Sequence, residues 1–425
     1  MNQIQCIPFG SASVIAFAAM KRAPTLLLIL VVLLFSACND DSASAGDPVS
    51  DAGPADTAAD GLISDDAEPP KDEGTATDTL TDDVASPDIV QSDASDPPPI
   101  ASLCFADKFD PNEPGPNYDQ FNPVVAKHCL GTNHQDIVGV EQVIFLGDSV
   151  TVGTPNLAHP FSTDNGHFFR NLLAEWLAAH YGLNTGNDIE WGLWKAYDYI
   201  QGKGSLKEAG DFKNCSKWGA RTDDLLEGGG QIHECLPGGT SDKRTLFVFT
   251  MGGNDISKIT QEGGDASEAE VAADYPASWA LAESTIQYLK EALEWIHDPE
   301  NFPNGSYVIF ANPFEFTDGT GDVSACATAA LAGYKTWANT AALKDIGIYL
   351  LEQYTKLAVD TQTDVLWLLE QFCGHGYVTT GDNADTSNQC YLGPDAELYF
   401  DETCTHPSPP GHHALYEMFK AAVLE

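Results

Sequence analysis

Basic residues are scarce in this chain. Only 20 Lys and Arg stand against 63 Asp and Glu, a net charge of −43. A phosphate backbone is gripped by Lys and Arg, so nucleic acid is excluded as a partner. Electrostatic adhesion to anionic lipid is disfavoured on the same ground. No C-x-x-C occurs among the cysteines, which removes the usual spacing of structural zinc. No G-x-S-x-G elbow, H-E-x-x-H or phosphate-binding P-loop is present. No internal repeat is evident. The apolar run Leu26–Phe35 is too short for a comfortable membrane span.

What is present begins with a targeting pattern. Met20-Lys21-Arg22 is a basic start, with Met20 an alternative initiation point, and Ser36-Ala37-Cys38 closes the apolar run with small residues. Residues 1–38 therefore read as a secretory signal peptide, the alternative being a transmembrane anchor. Leu34-Phe35-Ser36-Ala37-Cys38 resembles a bacterial lipobox, with Phe35 a departure. The resemblance implies cleavage before Cys38, a lipid on its sulfur, and an exported protein anchored to a membrane of the bacterial cell envelope. Residues 39–100 hold seventeen acidic residues, one lysine and no aromatic. Such a segment buries too little apolar surface to offset its ordering entropy and reads as an extended acidic tether. Eight cysteines follow Cys38, an even number that reads as disulfides in an exported chain. Short pairings such as Cys215 with Cys235, or Cys390 with Cys404, are the simplest guesses.

Residues 101–140 are rich in Asn and Pro and carry two cysteines. They read as an irregular, disulfide-pinned lead-in to a domain at 141–425. Within that domain strands and helices alternate. Val143-Ile144-Phe145-Leu146 has the makings of a buried strand. Ile189-Glu190-Trp191 is a candidate second strand, Thr245–Thr250 a third, Tyr307–Ala311 a fourth and Val365–Leu369 a fifth. Helical spacing runs over 168–180, 279–297, most of 327–357, and 414–424. Alternation of this kind implies a parallel sheet between two helix layers, with ligands bound beyond the carboxyl ends of the strands.

Four stretches fall at such ends. They are Gly147-Asp148-Ser149; Trp218-Gly219-Ala220-Arg221; Gly252-Gly253-Asn254-Asp255; and the run from Asp401 through Glu402, Thr403 and His406 to Gly411-His412. Each alone is ordinary turn chemistry. Together, and in this order, they resemble the SGNH, or GDSL, hydrolase superfamily over about 143–425. The resemblance implies a three-layer α/β/α sandwich with a flavodoxin-like, five-stranded parallel sheet. It also implies carboxylic-ester hydrolysis through an acyl-enzyme, without metal or organic cofactor, on acyl lipids, acetylated glycans or small esters.

On that resemblance Ser149 is the nucleophile and His406 the base that takes its proton. The oxyanion hole is made of the backbone N–H of Ser149, the backbone N–H of Gly219 and the side-chain amide of Asn254, each donor worth on the order of 3 kcal/mol in the transition state. The family places Asp three residues before the histidine, but Thr403 stands there. Asp401, delivered by a bulged loop, is the first choice for the orienting acid. Glu402, or a dyad oriented by a backbone carbonyl, remains open. His412 and His413 are rival bases, better suited to capping the last helix. Asp148 fits ordering of its own turn. Trp191, Trp194, Tyr197, Tyr199 and Trp218 are candidates for a sugar platform, an acyl groove or the core. Asp318–Asp322 and Asp382–Asp385 resemble calcium loops without the full ligand spacing. A different class of function is also open: a surface-displayed binding lipoprotein whose hydrolase domain has lost turnover.

Overall fold

Residues 142–147 form the strand on which the fold is built. The computed structural model describes residues 99–106, 108, 114–154 and 166–425. Residues 1–38, including Cys38, and nearly all of 39–100, the stretches read from the sequence as signal peptide and tether, lie outside these. Eight strands occur among the described residues: β1 (Gln142–Gly147), β2 (Tyr197–Asp198), β3 (Lys203–Gly204), β4 (Glu208–Ala209), β5 (Phe212–Asn214), β6 (Thr245–Thr250), β7 (Ser306–Ala311) and β8 (Asp364–Leu366). Six make one sheet in the order β4-β5-β1-β6-β7-β8, and β2 pairs with β3 in a separate hairpin. β5, β1, β6, β7 and β8 run parallel, and β4 is an antiparallel edge. The parallel part has the expected flavodoxin-like arrangement, with the edge strand an addition.

The helices that matter here are α1 (Ser149–Val152), α2 (Phe169–Tyr181), α3 (Asp188–Lys195), α4 (Gly253–Gly264), α5 (Pro276–His297), α6 (Thr340–Thr361) and α7 (Pro409–Leu424). Alternate strand residues face opposite helix layers, as a pleated strand requires. Ile144, Leu146, Phe247, Phe249, Val308 and Phe310 pack with Leu289 and Leu293 of α5 and Leu350 of α6. Val143, Phe145, Leu246, Val248 and Ile309 pack with Leu173 of α2 and Leu415 and Phe419 of α7. Each such side chain contributes roughly 1.5–3 kcal/mol of burial. None of the described helices is long and apolar enough to cross a membrane.

Register places the business end. Gly147 sits opposite Thr250, Thr250 opposite Ala311, and Ala311 opposite Leu366. The loops leaving β1, β6, β7 and β8 therefore start from one line across the sheet.

Three local expectations are corrected. Ile189-Glu190-Trp191 is helical, not a strand. Asn187 accepts from the N–H groups of Ile189 and Glu190 at 3.1 and 3.0 Å, and the Glu190 carboxylate accepts from the Asn187 N–H at 3.3 Å. That reciprocal cap starts α3, and the second strand is Phe212–Asn214 instead. The last strand stops at Leu366, because the Asn312 amide oxygen takes the Leu369 N–H at 3.2 Å and a short helix begins at Leu368. The stretch before Thr340 is irregular apart from short 3₁₀ turns; the long helix starts only where Asn339 accepts from the Ala341 N–H at 3.1 Å.

The lead-in segment is part of the core. Cys104 is bridged to Cys129. Tyr118 stacks on Trp367 at 5.3 Å, and its hydroxyl donates to the buried Glu370 carboxylate. Thr132 N–H donates to the Val365 carbonyl at 3.0 Å and Trp367 N–H to the Leu130 carbonyl at 2.9 Å. These bonds cover the β8 edge, which would otherwise be open to pairing with another chain. The other bridges are Cys215–Cys235, as guessed, Cys373–Cys390 and Cys326–Cys404. The guessed Cys390–Cys404 pair does not form; both halves have other partners.

Candidate active site

Ser149 stands where β1 ends and α1 begins. Gly147 makes that exit possible: its φ is +114°, and a Cβ there would lie 2.3 Å from the Thr250 carbonyl oxygen. Gln231 holds this glycine with both ends of its amide, accepting from the Gly147 N–H at 2.7 Å and donating to its carbonyl at 2.9 Å. Sequence reasoning missed Gln231, whose partner is 84 residues away and signals nothing locally. Asp148 orders the turn, accepting from the Val150 N–H at 2.9 Å and from the Thr250 hydroxyl at 3.1 Å. Burial pushes its carboxyl up to about 7 despite those bonds. Ser149 itself is 9% exposed.

His406 arrives on a tight loop. Phe400 and Pro407 form an antiparallel bridge, and the Asp401 N–H donates to the His406 carbonyl at 2.9 Å. The residues between turn back on themselves, with Cys404 at a φ of +70°. Cys326 and Thr328 pin this turn from outside: one through its bridge to Cys404, the other by donating its hydroxyl to the Glu402 carbonyl at 2.5 Å. The result is an imidazole whose Nε2 lies 2.8 Å from Ser149 Oγ, across 257 residues of chain. Burial lowers the His406 pKa from its ordinary value, and the charge of Asp401 pulls it back up.

The third member is where expectation and structure part. No carboxylate oxygen hydrogen-bonds to the His406 ring among the described residues. Its Nδ1 lies 2.7 Å from the Thr403 hydroxyl and 3.3 Å from that of Thr405. Asp401 accepts from the Thr403 N–H at 2.9 Å and from the Thr403 hydroxyl at 2.5 Å. Glu402 is exposed. Among the described residues no backbone carbonyl hydrogen-bonds to the ring either.

The loop that carries Gly219 leaves the sheet beside the nucleophile's turn, where the Lys217 N–H donates to the Gly147 carbonyl at 3.0 Å. Gly219 has φ +74°, with open space where a Cβ would be. Among the described residues neither its N–H nor that of Ser149 meets an acceptor. Asn254 donates one amide N–H to the Ala220 carbonyl at 2.8 Å, which leaves the other free for a ligand. The next residue, Asp255, accepts from the Thr222 N–H and hydroxyl at 3.1 and 2.8 Å. Two consecutive side chains of α4 thus lock the Gly219 loop to the end of β6. Burial lifts the Asp255 carboxyl to about 6. Arg221 is not aimed inward; it pairs with Asp223 at 3.4 Å and is half exposed.

The GDSL-like lipase/acylhydrolase family matches residues 143–419, from β1 into α7. The chain belongs to this family. It is accordingly a serine ester hydrolase. No curated protein matches its sequence. Among solved structures it is similar to the extracellular lipase of Streptomyces rimosus, at 18% identity and a TM-score of 0.39, over 67% of this chain and 100% of the other. It is also similar to phospholipase A1 of Streptomyces albidoflavus NA297, at 16% and 0.38, over 67% and 99%. An acetyl xylan esterase of Geobacillus stearothermophilus matches at 14% and 0.36, over 68% and 97%.

The remaining candidates sort by position in this GDSL-like acylhydrolase. His412 is buried in the first turn of α7, stacked on Phe169 at 6.2 Å, with its Nδ1 taking the Phe169 N–H at 3.4 Å. Ser408, not His412 or His413, caps that helix, accepting from the Gly411 N–H at 3.4 Å. Trp194 is fully buried and Trp191 stacks on it at 4.9 Å, so both serve the core. Trp218 is different. It adjoins Gly219, donates its indole N–H to the Gly153 carbonyl at 3.1 Å, and meets Tyr197 and Tyr199 of the β2–β3 hairpin at 6.2 and 5.7 Å. Asp318 accepts from the N–H groups of Gly374, Gly376, Val378 and Thr379 at 2.9–3.1 Å. Its carboxylate is thus spent on folding the loop after β8. Among the described residues no three His, Cys, Asp or Glu side chains group as a metal site.

Proposed function

We propose that this protein hydrolyses carboxylic esters by covalent catalysis at Ser149, with His406 as general base and acid. The contact that carries the reading is the 2.8 Å approach of Ser149 Oγ to His406 Nε2. Ser149 attacks the ester carbonyl carbon while its proton passes to Nε2. The carbonyl oxygen takes up negative charge against the N–H groups of Ser149, Gly219 and Asn254. Collapse expels the alcohol, protonated by His406. Water, deprotonated by the same imidazole, then frees the acid and regenerates Ser149. Asp401 is the acid that favours the imidazolium.

Acyl lipids, acetylated glycans and small esters are all admissible substrates. The half-buried aromatic group of Trp218, Tyr197 and Tyr199 beside Gly219 supports a cleft wall for a flat or apolar group. We further propose export and lipid anchoring through Cys38, on its lipobox-like setting; lipid labelling unchanged in Cys38→Ser would rule this out. The rival function, a binding lipoprotein with impaired turnover, has one observation on its side: among the described residues no carboxylate hydrogen-bonds to the histidine ring. Hydrolysis of p-nitrophenyl acetate and butyrate by wild type beside Ser149→Ala decides between the two. Equal rates for both proteins would end the hydrolase mechanism, and comparison of chain lengths ranks the acyl groups.

A further inference from the structure

We infer that Thr403 is a positioning residue that couples Asp401 to His406, so that the charge of the acid reaches the imidazole through a neutral hydroxyl. The inference rests on the proposed roles of Ser149 and His406.

Hydrogen-bond bookkeeping gives the chain one direction. An ionised carboxylate only accepts. The Thr403 O–H, 2.5 Å from Asp401 Oδ1, must therefore donate to it. A hydroxyl has one proton, so the side of Thr403 Oγ1 facing the ring, 2.7 Å away, offers a lone pair. His406 Nδ1 must then carry a proton. In the neutral ring this leaves Nε2 bare, and Nε2 is the atom 2.8 Å from Ser149 Oγ. The hydroxyl thus selects the tautomer able to take the serine's proton, the task a directly bonded carboxylate performs elsewhere. When Nε2 is protonated, no proton needs to move along the chain. Nδ1 keeps its own, and the imidazolium faces an oriented O–H dipole backed by the Asp401 charge.

The loop explains why Thr403 and not a neighbour fills this place. Asp401 and His406 are opposite one another, tied by the Asp401 N–H to the His406 carbonyl at 2.9 Å. The Thr403 N–H also donates to Asp401 Oδ1 at 2.9 Å, closing a small ring that points the hydroxyl inward. Thr405 is a poorer candidate, since its hydroxyl lies 3.3 Å from Nδ1 and 3.4 Å from Thr403 Oγ1. The next residue, Cys404, is held by its bridge to Cys326, so the turn has little freedom to bring Asp401 onto the ring directly. Charge felt through an intervening hydroxyl is weaker than charge in contact, which makes the coupling measurable as a partial effect.

The test is kcat and KM for p-nitrophenyl acetate in wild type, Ser149→Ala, Thr403→Val, Thr403→Ser, Asp401→Asn and Thr403→Val/Asp401→Asn. Thr403→Val is expected to lower kcat roughly 10- to 100-fold at unchanged KM, and Thr403→Ser to stay within about threefold of wild type. The double variant should be no worse than the worse single one, because both break the same chain. Thr403→Val with wild-type kcat, a serine variant as impaired as the valine one, or losses that multiply would each overturn the coupling and leave the hydrolase reading standing. Wild-type turnover no greater than that of Ser149→Ala would overturn both. A swap keeps the question open to refutation even where valine prevents folding. Asp401→Asn/Thr403→Asp puts a carboxylate directly on the ring and is expected to recover at least about tenfold over Asp401→Asn; no recovery overturns the coupling.

Discussion

The Cys326–Cys404 bridge is the most informative structural perturbation, because one of its sulfurs sits inside the loop that carries His406. The bridge closes a chain segment of 78 residues, for which chain entropy gives about 4.5 kcal/mol of stabilisation. Cys104–Cys129, with a separation of 25, gives about 3.5 kcal/mol by the same relation and closes a loop within the lead-in segment. Replacing both cysteines of either pair by alanine should therefore lower stability by comparable amounts. The consequences for turnover should differ. Without its bridge the turn around Cys404 keeps the Thr328–Glu402 contact but loses its covalent tie, and a misplacement of about 1 Å at the base costs up to about 100-fold in rate. The Cys104→Ala/Cys129→Ala protein should keep near-wild-type kcat below its unfolding transition. Guanidinium titration measures the first effect, and p-nitrophenyl acetate hydrolysis well below the transition measures the second. Equal kcat for the two double-alanine proteins would refute the idea that this bridge positions the histidine.

Burial lowers the His406 pKa, so the base stays neutral at more acid pH than a free imidazole. The acid limb of kcat/KM should accordingly lie below the ordinary histidine value of about 6.5. Asp401→Asn should move it lower still, since the Asp401 charge acts in the raising direction; a limb above the ordinary value contradicts this. Asp148 makes a stability prediction. Its folded pKa of about 7 exceeds its unfolded value of 3.8, so the folded state holds a proton the unfolded chain has lost. Stability from this group is therefore full below about pH 4 and declines as pH rises through 7, by about 4 kcal/mol in total. Asp148→Asn should show a shallower fall in urea midpoint between pH 5 and 8, and parallel curves for the two proteins would show the assignment to be wrong. Asn254→Ala should lower kcat by about 100- to 1,000-fold with little change in KM, as loss of a transition-state donor does; a pure KM effect would place the amide in ground-state binding. Glu402→Ala should be nearly silent beside Asp401→Ala, because the Glu402 side chain is exposed; the reverse ranking would show that the acid is misassigned.

The parts of this protein legible in its sequence are those set by local periodicity and by short-range turn chemistry. Runs such as Thr245–Thr250 and Val143–Leu146 are apolar on both faces, and only a strand covered by helices on both sides satisfies that pattern. The placement of Ser149 and Asn254 just beyond the ends of β1 and β6 follows from the same alternation, whereas His406 sits on the loop before α7, far along the chain from the end of β8. α3 escaped because a tryptophan-rich stretch of eight residues looks equally apolar as strand or helix; the Asn187–Glu190 cap was the signal that distinguishes them. The pairing of Cys326 with Cys404 across 78 residues, and the grip of Gln231 on Gly147, depend on which distant segments pack together. So does the third partner of the histidine. Spacing alone leaves Asp401, Glu402 and a backbone carbonyl open, and the turn between two pinned ends decides for the hydroxyl of Thr403. Hydrogen-bond geometry at that scale is set by tertiary constraint on a few backbone angles, and residue order does not encode it locally.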